Sequence, residues 1–79
     1  MKLPRDLSAD DLVKVLARLE YEVTRQTGSH LRLTTQRDGE QHVTIPHHDP
    51  LRVGTLSAIL RDVAEHHGMS RDDLLALLF

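Results

Sequence analysis

The sequence predicts an α+β domain of order α-β-β-β-α-α, a two-layer sandwich with one three-stranded antiparallel sheet. Three observations carry this. Apolar residues recur at helical spacing over residues 9–20, alternate with polar ones from Tyr21 to Ile45, and return to helical spacing after Gly54. Ser8 is a good N-cap for the first helix, with Asp11 in a capping-box position, Asp10 adding charge to the first turn, and Leu12, Val13, Leu16 and Leu19 as the apolar stripe. Tyr21 and Val23, Leu31 and Leu33, and Val43 and Ile45 then mark three half-buried strands.

The turns suggest a register. Gln26-Thr27-Gly28 and Arg37-Asp38-Gly39 read as three-residue hairpin loops with a left-handed glycine. Centring the second on Asp38 pairs Leu33 with Val43, Arg32 with Thr44 and Leu31 with Ile45. Centring the first on Thr27 pairs Val23 with Leu31, Glu22 with Arg32 and Tyr21 with Leu33. A slip of one residue would carry arginine and histidine into the core. Pro46 ends the third strand, and residues 47–50 form a loop. Gly54 and Thr55 open a second helix with Leu56, Ile59, Leu60 and Val63 on one face and Gly68 as its C-terminal cap. Ser70 and Asp73 form a further capping box before a short, densely apolar C-terminal helix. With only one apolar sheet face, both main helices must cover it and leave the other open.

The chain has 79 residues, which is one domain spanning 1–79 with a thin core. Hydrophobic residues at 39% and charged residues at 28% are globular values. The lack of cysteine excludes disulfides, thiolate zinc sites and thiol nucleophiles. No apolar run approaches the roughly 20 residues of a membrane span, and Met1 leads into a charged stretch rather than a signal peptide. A soluble, cytoplasmic protein with no membrane partner is expected. Two aromatics, Tyr21 and Phe79, make a poor base-stacking platform. Residues 53–79 carry the whole net charge of −2, whereas Thr24–Arg37 holds Arg25, Arg32 and Arg37 and no acid.

The open face is predicted to present His30, Arg32 and Thr34, with His42 and Thr44 opposite, and to place His30 beside the Pro46–His48 exit of the third strand. Histidine beside arginine can deprotonate a ribose 2′-hydroxyl and hold the phosphate that it attacks, with no metal or other cofactor. The ordinary alternative is a solvated polar face. His66 and His67, at the end of the second helix, suit its dipole as C-terminal cations. His47-His48-Asp49 is a weak metal-ligand pattern. The tail Leu74–Phe79 is either core or a patch for another subunit.

Three blocks carry a resemblance to a known family: Arg25-Gln26-Thr27-Gly28-Ser29-His30-Leu31-Arg32-Leu33, Val43-Thr44-Ile45-Pro46-His47-His48, and Gly54-Thr55-Leu56-Ser57-Ala58-Ile59-Leu60-Arg61. With Lys2-Leu3-Pro4-Arg5-Asp6-Leu7-Ser8 and the stretch from Leu16 to Val23, the chain resembles the HicA (YcfA-like) family of bacterial toxins over nearly its whole length. The resemblance implies a double-stranded-RNA-binding-domain-like fold, a ribosome-independent mRNA interferase activity, and a HicB-like antitoxin that occludes the toxin. It implies that His30, of the glycine-serine-histidine motif, is catalytic, and Pro46 and His48 match the family's proline-x-histidine. The predicted face adds Arg32 as the group that stabilises the phosphorane and His48 as a second proton-transfer residue. Lys2, Arg5, Arg25, Ser29, Arg32 and Arg37 are the candidate RNA contacts. Two rival readings use the same sequence: a non-catalytic RNA-binding module, and a protein-interaction subunit built on the tail. A sequence pI near 6.3 predicts weak or strongly salt-sensitive RNA binding.

Overall fold

The computed structural model describes residues 3–79, so Lys2 lies outside the described residues. The elements follow the expected order: α1 (Ala9–Leu16), a 3-10 turn (Ala17–Leu19), β1 (Glu22–Gln26), β2 (His30–Thr35), β3 (Gln41–Pro46), α2 (Val53–His66) and α3 (Arg71–Leu78). The Ser8–Asp11 capping box is complete in both directions. At α3 only half of it forms, with the Asp73 N–H donating to Ser70 Oγ. The sheet order is β1-β2-β3. Leu12, Leu16, Leu31, Leu33, Ile45, Leu56, Leu60 and Val63 share one core, which α3 joins through Leu74, Leu75 and Leu78. Most of the C-terminal apolar surface is therefore core, with Leu77 and Phe79 left exposed. Arg18 ties α3 down from the 3-10 turn by donating to the Leu77 and Leu78 carbonyls at 3.0 and 3.3 Å. No helix among the described residues is long and apolar enough to cross a membrane.

The second hairpin has the expected register, Leu33↔Val43, Arg32↔Thr44 and Leu31↔Ile45. The first does not. Its loop is the two-residue turn Gly28-Ser29, closed by the Thr27 N–H donating to the His30 carbonyl at 2.9 Å, and Gly28 is not left-handed. Close to the turn the pairs are Gln26↔Leu31 and Arg25↔Arg32; past a bulge between Val23 and Arg25 they become Val23↔Leu33 and Glu22↔Thr34. The two-residue turn alone would put β1 out of step with the sheet's two faces, and the extra bulge residue restores the step. Val23 keeps its inward parity on an edge strand but stays 42% exposed.

His66 lies in the last turn of α2 and His67 is its C-cap, but their side chains do more than face the helix end. Gly68 (φ 65) and Met69 close α2 in a Schellman motif, donating to the Glu65 and Ala64 carbonyls at 3.3 and 2.9 Å. The two rings cross instead to the β2–β3 turn. His66 Nε2 lies 3.0 and 2.9 Å from the Arg37 and Gly39 carbonyls, so this nitrogen carries the proton. The His67 side chain is fully buried, with Nδ1 2.9 Å from the Asp38 carboxylate and Nε2 3.0 Å from the Tyr21 hydroxyl. The Tyr21 hydroxyl donates to Gln41 Oε1, and the Gln41 amide donates in turn to the Asp62 carbonyl at 3.1 Å. The His67 ring thus bonds on both sides, to the Asp38 carboxylate and to the Tyr21 hydroxyl, and joins the turn to Tyr21 and Gln41.

This hydrogen bond holds the Asp38 carboxyl below its usual value of 3.8, and burial pushes the Tyr21 hydroxyl up from 10.0 to about 12. A depressed acid stabilises the fold above its unfolded pKa and loses that contribution as the pH falls. Stability should therefore decline below about pH 3.8, and Asp38→Asn should flatten that decline in pH-dependent denaturant unfolding. The raised Tyr21 acts in the opposite direction, with its contribution complete below pH 10.0 and lost toward about 12. Tyr21→Phe should remove the alkaline loss, and at neutral pH should cost about 1–3 kcal/mol, because it removes the hydroxyl that bonds both the buried His67 ring and Gln41.

Candidate functional site

The even-numbered residues of β2 set the open face. His30, Arg32 and Thr34 lie opposite Pro46, Thr44 and His42 of β3. On the other side the two-residue turn sets Arg25 opposite Arg32, and past the bulge Glu22 lies opposite Thr34. Directly opposed strand residues project from the same face, so the two guanidinium groups share one patch of surface. Both are exposed, and neither has a carboxylate partner among the described residues. Like charges in opposed positions destabilise a sheet, a local cost that a bound anion would offset.

His30 starts β2 and is fixed from several directions. Its N–H donates to Thr27 Oγ1 at 3.1 Å, its carbonyl accepts the Thr27 N–H, and its ring Nδ1 lies 2.8 Å from Ser29 Oγ. Nε2 has no partner among the described residues and belongs to an exposed ring. The loop after β3 closes this end of the sheet. The His47 N–H donates to the Ser29 carbonyl at 2.9 Å, the His48 N–H folds back to the Pro46 carbonyl at 2.8 Å, and the His48 carbonyl accepts the Ala9 N–H at 3.0 Å. The His47 ring sits 3.3 Å from Asp10 of α1, while the His48 ring is exposed and without a hydrogen-bond partner among the described residues.

The far end of β2 differs. His42 Nε2 lies 2.8 Å from Glu40, and its Nδ1 lies 2.7 Å from Thr34 Oγ1, which is 2.8 Å from Thr24 Oγ1. With Glu22 and Glu40 nearby, this end is acidic. Four residues of strand, roughly 13 Å, separate it from His30.

The residues expected to work together therefore divide. Ser29, His30, Arg32 and Arg25 converge at one end of the open face. Arg37 sits past the other end of β2, beside Glu20 and Glu22. Arg5 is exposed in the segment before α1, which lies along the 48–51 loop through the Leu51 N–H bond to the Leu7 carbonyl. His48 leaves the sheet two residues beyond Pro46, which lies opposite His30, with no hydrogen bond to the His30 ring among the described residues. The Arg25–Arg32 pairing and the Glu40–His42–Thr34 chain had no expression in the strand pattern, because the first depends on the two-residue turn and the second on a contact between a loop and a strand. Among the described residues no group of three or more histidine and acidic side chains is placed to hold a metal ion.

A family model described as the HicA toxin of bacterial toxin–antitoxin systems matches residues 9–64. That span runs from the start of α1 to within α2 and contains every element of the open face. No curated protein and no solved structure matches the chain.

Proposed function

Because the chain belongs to the HicA family of bacterial toxin–antitoxin toxins, we propose that it is an mRNA endonuclease centred on His30 and restrained by a HicB-like antitoxin. The observation that carries this reading is the His30 ring, held at Nδ1 by Ser29 with Nε2 open to solvent, beside the unneutralised Arg25–Arg32 pair. When Nδ1–H donates to Ser29 Oγ, the Nε2 lone pair is free to act as a base. It takes the proton of a ribose 2′-hydroxyl, and the 2′-oxygen attacks the adjacent phosphorus. Arg32 and Arg25 stabilise the doubly charged phosphorane. The bond to the 5′-oxygen then breaks, and that oxygen leaves with a proton from His48 or from water. The products are a 2′,3′-cyclic phosphate and a 5′-hydroxyl. Arg37 lies past the far end of β2 from this phosphate, and Arg5 and Arg37 would meet the RNA backbone outside it. The non-catalytic RNA-binding reading uses the same arginine pair and is separated from this one by the cleavage assay.

Purified protein should cleave a labelled single-stranded mRNA in excess EDTA and leave a 2′,3′-cyclic phosphate terminus. His30→Ala should slow cleavage by about 10²-fold or more while keeping the parent's unfolding midpoint. Inhibition by EDTA, or equal cleavage by a well-folded His30→Ala protein, would overturn the mechanism. RNA bound but never cut by the parent would favour the binding module.

Arg25→Ala and Arg32→Ala should each weaken RNA binding and reduce the slope of log K against log salt by about 0.7, the value for one phosphate contact on a single strand. His48→Ala should lower kcat and alter the limb of the pH–rate profile that reports the acid; an unchanged profile would assign that proton to water.

A further inference from the structure

The two edges of the sheet are built differently. β1 is interrupted by the bulge at Val23–Arg25, a feature that discourages further pairing. β3 pairs regularly from His30↔Pro46 to Thr35↔Gln41, has no strand on its other side, and contains no lysine, arginine or bulge. Its only blunting residue is Pro46, at its end. The His47 N–H bond to the Ser29 carbonyl fixes which main-chain groups face inward. In an antiparallel ladder these alternate, so residues 41, 43 and 45 face β2, and His42 and Thr44 turn their N–H and C=O groups outward. No other described residue hydrogen-bonds to them.

A groove of about 610 Å³ lies along this edge, between residues 41–44 and Ile59, Asp62, Glu65 and His66 of α2. Val43 and Ile59 give it an apolar floor. Asp62 and Glu65 are exposed, and neither carboxylate has a cationic partner among the described residues. His66 supplies none, since its Nε2 is committed to the Arg37 and Gly39 carbonyls.

We propose that the free edge of β3 is the docking strand for an extended, basic segment of the antitoxin. The segment adds a fourth strand by pairing with the main chain of His42 and Thr44. Its apolar side chains cover Val43 and Ile59, and lysine or arginine on the same side meets Asp62 and Glu65. Family membership supplies the protein partner, and the inference stands apart from the nuclease reading. The two carboxylates disfavour a nucleic-acid strand. A second copy of the chain fits poorly, because β3 carries no lysine or arginine and edge-to-edge pairing would bring two acidic walls together.

The test titrates the full chain with a blocked seven-residue peptide that alternates lysine and valine, and with its glutamate–valine counterpart, while backbone amides are followed by NMR. The lysine peptide should bind and slow exchange at the His42 and Thr44 amides, and the glutamate peptide should not. Thr44→Pro removes an outward N–H without touching the β2 ladder and should abolish binding. Asp62→Lys combined with Glu65→Lys should weaken it by about tenfold or more, and keeps the proposal falsifiable if the proline variant fails to fold. Peptide binding that survives both changes, or that protects amides elsewhere, would overturn the proposal. So would a concentration-dependent dimer of the parent that Thr44→Pro dissolves, which would give the edge to a second copy. None of these readouts involves RNA, so a failure of the nuclease reading would leave them unchanged.

Discussion

A three-stranded sheet with helices on one side has a single permitted parity: each strand must turn its apolar residues to the same face. β2, in the middle, enforces this through Leu31 and Leu33, both essentially buried. The Gly28-Ser29 turn breaks the parity and the bulge at Val23–Arg25 restores it. Arg25 lies between the turn and the bulge, so the turn sets it opposite Arg32, next to His30, and the bulge leaves that pair in place. The local charge of the candidate site is thus set by the two-residue turn, and the bulge keeps the core apolar without disturbing it. A regular β1 on the same turn would point Val23 outward and Glu22 and Thr24 toward the core.

The parts of this arrangement that the sequence made legible are those governed by short-range pattern. β2 and β3 each carry two inward apolar residues around a turn with left-handed Asp38 (φ 58) and Gly39 (φ 98), so alternation and turn chemistry agree on one register. β1 has a single inward apolar residue of its own, Val23, and Thr27-Gly28-Ser29 suits either a two- or a three-residue loop. Its register is weakly specified locally and is settled by packing, through Tyr21 and the His67 ring below it. His30 and Arg32 were legible as members of the open face because they sit on the well-specified strand. Arg25 was legible only as a basic residue nearby. His66 and His67 were placed at the right helix end, but their contacts with Arg37, Asp38 and Gly39 span 27–29 residues of sequence, beyond the reach of any periodicity.

The buried imidazole also links layers that otherwise meet through few polar bonds. Asp38 in the β2–β3 turn, Tyr21 before β1, Gln41 at the start of β3 and the Asp62 carbonyl in α2 are joined through or beside His67. In a domain this small, where apolar burial alone gives a thin margin, a fully satisfied polar chain specifies how the helix layer sits on the sheet. The same contact holds α2 alongside β3 and so shapes the groove at the sheet's free edge.

A net charge of −2 is an average over a surface whose charges are spatially separated. Glu22 and Glu40 gather at the Thr34–His42 end of the open face, roughly 13 Å along β2 from His30. That exceeds the Debye length of about 8 Å at physiological ionic strength, so exposed carboxylates there are largely screened from a phosphate at His30. Arg25 and Arg32 lie within one strand spacing of each other and two residues from His30, well inside that length. What a phosphodiester meets at the His30 end is therefore the local pair of cations and not the average of the chain. The remaining acidity on α2 faces the β3 edge, around the corner of the sheet, and so lies away from the cations at His30.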